Sequence, residues 1–216
     1  MSNAEISHHH WLIYASFFGV ISLPSYLLSA VFVIPIPSIE RALFFIWGPT
    51  FALAVYCLGY WLRRDYDSIA LRLAVMMNIG AGMIVTMMAT VQALNGVASL
   101  EKINATTDKE LIWLYKAAFT GTHHTQLGLD IAFDVWMSLG TALFALALTR
   151  HFVFRPWLGI LGVFLALGIL VNNMIYFPWP PADKGGIDFG PYVGVWWGAV
   201  LVVILVQYWR QNQTTN

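Results

Sequence analysis

Asp130 and Asp134 lie one helical turn apart in a run apolar enough to cross a bilayer, where a carboxylate is costly unless it has work to do. At about 100° per residue, His123, Gln126, Asp130, Asp134, Ser138 and Thr141 share roughly one third of a helix circumference. Leu, Ile, Ala, Phe, Val and Trp take the other face. A one-sided polar stripe must turn toward protein or water rather than lipid. Carboxylates so placed can exchange protons or hold a small polar ligand.

Other polar residues join them at the same depth. Asn172, Asn173 and Tyr176 fall near the end of a later apolar run, and Gln126 lies one turn before Asp130. Together with Asp134 and Asp130 they form the expected ligand- or proton-binding set, within a pocket roofed by the loop 178–190. Neighbouring asparagines also serve as hydrogen-bonding glue between membrane helices. His123 and His124 with Asp130 form a candidate set for a divalent metal, since imidazole and carboxylate suit zinc, iron or manganese. Their spacing is not that of a His-Glu-x-x-His site, and adjacent histidines on a helix point in different directions. A membrane-embedded enzyme using these residues is the first alternative to a ligand-binding or conducting protein. An accessory subunit of a larger membrane complex is the second.

Several classes are disfavoured. There is no Gly-x-Ser-x-Gly elbow, no phosphate-binding loop, and no lysine within a span for a retinal Schiff base. A formal net charge of zero argues against a nucleic-acid partner, which needs a basic face to neutralise phosphates. The single cysteine, Cys57, allows no internal disulfide framework.

The elements that must position these residues follow from hydropathy. With 59% hydrophobic and 10% charged residues, and a mean hydropathy of +0.68, the 216-residue chain reads as one membrane domain, 1–216. Six runs reach the ~20 residues that cross a hydrocarbon core: 11–34, 41–62, 69–94, 126–149, 157–178 and 191–209. The fold class is an all-α six-transmembrane-helix bundle. Thr107 to Glu110 has capping-box spacing and Gly121 reads as a stop, so 107–120 is expected to be a short extracytoplasmic interfacial helix. Met76, Met77, Met83, Met87 and Met88 read as adaptable packing. Gly190, Gly194 and Gly198 form a small-residue face suited to close helix approach, in a homo-oligomer or with a partner in a complex.

Arg63, Arg64, Arg72, Arg150, Arg155 and Arg210 flank alternate connections and the last span. The positive-inside rule makes that end cytoplasmic, puts both termini inside, and opens the polar cluster outward. The expected setting is a bacterial inner membrane, with the lipid bilayer and a small polar ligand or lipid headgroup as partners.

Overall fold

The computed structural model describes residues 3–28 and 37–214. Among the described residues the chain is helical without strands: α1 Asn3–Tyr26, α2 Pro37–Leu62, α3 Ile69–Asn104, α4 Lys109–Leu148, α5 Pro156–Tyr176 and α6 Gly190–Thr214, with a single 3-10 turn at Pro181–Lys184. Five helices, α2 to α6, are long and apolar enough to cross a membrane. α1 packs along α2 and α6 as the sixth member of the bundle. The end of the first expected span, 29–34, lies outside the described residues.

Sequence neighbours pack against each other from α1 to α5, and α6 closes the ring against α1 and α5. Two of its three tryptophans, Trp196 and Trp197, reach inward. Trp196 Nε1 donates to the Leu158 carbonyl at 2.7 Å, and Trp197 Nε1 donates to Thr141 Oγ1 at 3.2 Å. Phe51 of α2 and Phe144 of α4 meet the Trp197 ring at centroid distances of 5.2 and 5.0 Å. The middle of the ring is thereby filled with aromatic side chains. Outward faces are apolar and open, as at Ile160, Phe164, Met174 and Val195, which suits contact with lipid. Of the methionines, Met88 packs inside as expected, whereas Met76, Met83 and Met87 face outward.

The segment between the third and fourth spans departs from expectation. There is no separate interfacial helix at 107–120: α3 continues to Asn104 and α4 runs unbroken from Lys109 through Gly121 to Leu148. The cap is Asp108, one residue after the expected Thr107, and its carboxylate accepts from the Glu110 amide at 2.9 Å. A glycine inside a helix costs only about 1 kcal/mol relative to alanine, so Gly121 weakens the helix without ending it. The two extensions are tied to each other: Asn95 Nδ2 donates to the Phe119 carbonyl at 3.2 Å, and Lys102 lies 5.7 Å above the Tyr115 ring. At 1.5 Å per residue α3 and α4 measure about 54 and 60 Å, nearly twice a ~30 Å hydrocarbon core. The hairpin therefore stands well beyond the other helices at one end.

Arg63, Arg64, Arg72, Arg150, Arg155 and Arg210 lie at the opposite end, whereas Arg41 stands near the start of α2 beside the α3 extension. His151, in the connection from α4 to α5, is 3% exposed. Its ring lies between Trp61, Phe152 and Phe154, and Nε2 is 3.5 Å from Asp65 Oδ2. Burial pulls the imidazole below its ordinary pKa, against the opposing pull of Asp65. Arg150 donates to the Tyr66 hydroxyl at 3.1 Å, and Arg72 pairs with Asp67.

Candidate functional site

The site lies at the end away from that group of six arginines, and all six helices reach it. A cavity of about 240 Å³ is bounded by Tyr26 of α1, Phe44 and Trp47 of α2, Met88 of α3, Asp130, Phe133 and Asp134 of α4, and Ile169, Asn172 and Asn173 of α5. The connection from α5 to α6 covers it through Pro180, Pro181, Ile187, Asp188 and Phe189, with Gly190 and Pro191 opening α6. That volume has room for roughly eight waters at about 30 Å³ each.

The α4 stripe brings the acids here. Lower on the same face Ser138 and Thr141 are buried, and Ser138 Oγ donates to the Asp134 carbonyl. Asp134 itself faces α5, where Asn173 Nδ2 donates to its Oδ2 at 2.8 Å. The same amide group donates to the Ile169 carbonyl at 3.1 Å, so both Asn173 N–H bonds are spent. Asn173 Oδ1 is left without a hydrogen-bond partner, though the residue is only 5% exposed. A buried amide oxygen with no partner costs about 1–3 kcal/mol, which a donor in the cavity recovers.

Asn172 plays a different part. Its amide donates to the Ile187 carbonyl and ties the covering loop to α5. Within that loop Gly186 N donates to the Pro181 carbonyl at 2.8 Å, and Asp188 Oδ1 accepts from Gly190 N at 2.8 Å. The loop is thus an ordered cap held at both ends.

Of the expected site residues, Asp130, Asp134, Asn172 and Asn173 meet in one cavity wall, and Gln126 and Tyr176 do not line it. Tyr176 lies under the loop, its ring close against Gly186, and supports the cover from below. His123 is exposed and stacks on Phe119 at 6.3 Å, while His124 borders a separate surface hollow with Trp179. Among the described residues no group of three His, Cys, Asp or Glu side chains is placed to hold a metal ion. Asp188 and Tyr26 belong to the lining without having been marked as candidates. Tyr26 fell inside the expected first span, 11–34, two residues after Pro24, and Asp188 lay in a loop whose fold no periodicity encodes.

Below the cavity the route toward the arginine end is closed. Tyr26 and Trp47 stand in contact at 4.8 Å and separate the polar space from a small apolar void of about 40 Å³ lined by Phe51, Met137 and Trp197. The glycine face of α6 is used inside the chain: Gly194 receives the Tyr26 ring and Gly198 lies against Leu23. A side chain at position 194 would push Tyr26 out of the cavity wall.

Comparison with protein-family models, with curated proteins and with solved structures gives no match. What is established of the chain is that it is a helical polytopic membrane protein with an acidic cavity near one end.

Proposed function

We propose that this protein binds a small polar ligand, or protons, in the cavity around Asp134 and Asp130, and that the cavity opens to the outside of the cell. The observation that carries this is the wall itself: Asp130, Asp134 and Asp188 line one space with the buried, half-satisfied amide of Asn173, and no lysine or arginine is among the lining residues. Acids in such a place are favoured by something that enters and neutralises or hydrogen-bonds them. The outward direction rests on the arginines at the far end. Binding fits the closed floor formed by Tyr26, Trp47, Phe51 and Trp197 better than free passage does.

The test is a thermal-shift panel on the purified protein in nanodiscs, with inorganic cations, amines, sugars and small carboxylates at millimolar concentration, alongside a pH-jump measurement of proton uptake. A solute bound at a hundred times its Kd adds about 2.7 kcal/mol of stability. At least one class is expected to stabilise the wild type, or uptake to exceed that of Asp134→Asn, with the variant folded as before. A panel with no effect and equal uptake by both proteins overturns the reading.

A further inference from the structure

The cavity's walls narrow the kind of ligand. The acids share the cavity with an aromatic cluster centred on Trp47, which meets Tyr26 at 4.8 Å, Phe133 edge-on at 5.7 Å and Phe44 at 6.1 Å; all four residues line the cavity. Phe189 adds a fifth ring from the cover. Sugars and carboxylates are poor matches for a space with three carboxylates and no basic lining residue. A bare inorganic cation would use the carboxylates but gain little from five aromatic side chains. A cation with an apolar body uses both, because its charge is drawn to carboxylates and to the faces of aromatic rings alike.

Asn173 supplies a second, independent constraint. Its Oδ1 is buried and lacks a partner, while its N–H bonds are already committed to Asp134 and Ile169. The missing partner is a hydrogen-bond donor. A quaternary ammonium has none, whereas a protonated amine carries N–H groups for Asn173 Oδ1 and for the Asp134 carboxylate together. Size sets a third limit. At about 240 Å³ the space lies below the roughly 300–1,000 Å³ of pockets for drug-sized ligands, and holds about eight heavy atoms.

We propose that the ligand is a small protonated amine, its ammonium group held between Asp134, Asp130 and the Asn173 carbonyl oxygen and its apolar body lying against Trp47, Phe44 and Phe133. This rests on the reading of the cavity as a ligand site. The ammonium can belong to a free amine or to the headgroup of an aminophospholipid, which offers the same chemistry from the bilayer side.

Isothermal titration of the full chain in phosphatidylcholine nanodiscs tests it with four probes: n-butylammonium, the neutral and slightly longer alcohol n-pentanol, tetramethylammonium, and sodium or calcium chloride. n-Butylammonium is expected to bind at least tenfold tighter than n-pentanol and tetramethylammonium. Asp134→Asn should lose that binding, and Phe44→Leu should weaken it severalfold. Asn173→Ala should shrink the preference for n-butylammonium over tetramethylammonium, an effect that a purely structural role for Asn173 does not produce. Repeating the titration in phosphatidylethanolamine nanodiscs separates the sources: weaker apparent n-butylammonium binding identifies the headgroup as a competing occupant, and unchanged binding identifies a free amine. Equal binding of n-pentanol, or binding of the metal ions in place of the amine, overturns the amine assignment and leaves the ligand site standing. Failure of every probe here overturns the amine assignment, and a blank thermal-shift panel with unaltered proton uptake removes the site as well.

Discussion

At the arginine end, His151 is enclosed by Trp61, Phe152 and Phe154 with Asp65 beside it, whereas at the other end Asp134 and Asn173 border a cavity of about 240 Å³ beneath an ordered cover. Both ends set a titratable group among aromatic rings, His151 buried and Asp134 half-buried. At His151 the rings close around the imidazole, which meets only the Val153 amide at Nδ1, 3.3 Å away, and Asp65 at Nε2. At Asp134 they stand back and leave room. The difference teaches that a buried charge in a membrane bundle is not by itself a sign of function. Vacant space beside it is the distinguishing feature, since polar atoms without a hydrogen-bond partner occur at both ends, at His151 Nε2 and at Asn173 Oδ1.

Substitutions can break this contrast. The largest effect is expected from His151→Ala, which empties an enclosed aromatic site and should cost about 2–3 kcal/mol of stability, read as a lowered melting temperature in nanodiscs, with cavity binding unaltered. Asp134→Asn is nearly isosteric and should do the reverse: n-butylammonium affinity falls at least tenfold, about 1.4 kcal/mol, while the melting temperature stays close to that of the wild type. If both variants lose stability alike, the two ends are the same kind of structure and the contrast is gone.

Acidity sharpens it further. Because burial lowers the His151 pKa below its unfolded value of about 6.5, the unfolded chain binds the extra proton more readily. Stability from this group is therefore present at neutral pH and lost as the pH falls below about 6.5. Melting curves from pH 7.5 to 5 should show that loss in the wild type and a smaller one in His151→Gln. A slope unchanged by the substitution would assign the acid sensitivity to other groups.

The smallest effect concerns the hairpin. A Cβ at Gly96 or Gly121 meets nothing within 4 Å, so Gly96→Ala and Gly121→Ala should each raise the stability of the α3–α4 extension by up to about 1 kcal/mol. Slower amide exchange over residues 95–122 is the measurement. Unaltered exchange would mean that the extension is not limited by helix propensity.

These glycines also show why part of the fold was hidden in the sequence. The later spans and the inward stripe of α4 were legible because apolar runs and a 3.6-residue period report directly on burial. Gly121 and the Thr107–Glu110 pattern looked like a stop and a fresh start, yet contacts such as Asn95 to Phe119 across the hairpin hold the helices through the weak point. Of the site, Asp130, Asp134, Asn172 and Asn173 were found because polar residues in apolar runs stand out. Asp188, Tyr26 and the ring of aromatic residues around Trp47 were not. An aromatic residue in a membrane helix is unremarkable until its neighbours are known, and a loop aspartate acquires its role only when the loop folds back over the helix ends.

The hairpin has a practical corollary. Its tip, residues 105–108, joins two rods, and along α4 the distance from Lys109 to Asp134 is about 37 Å. An epitope or a protease recognition sequence inserted there would stand clear of the cavity like a flag on a mast. Whether it is cut or stained in sealed vesicles would report which compartment the acidic pocket faces, without touching any residue that forms it.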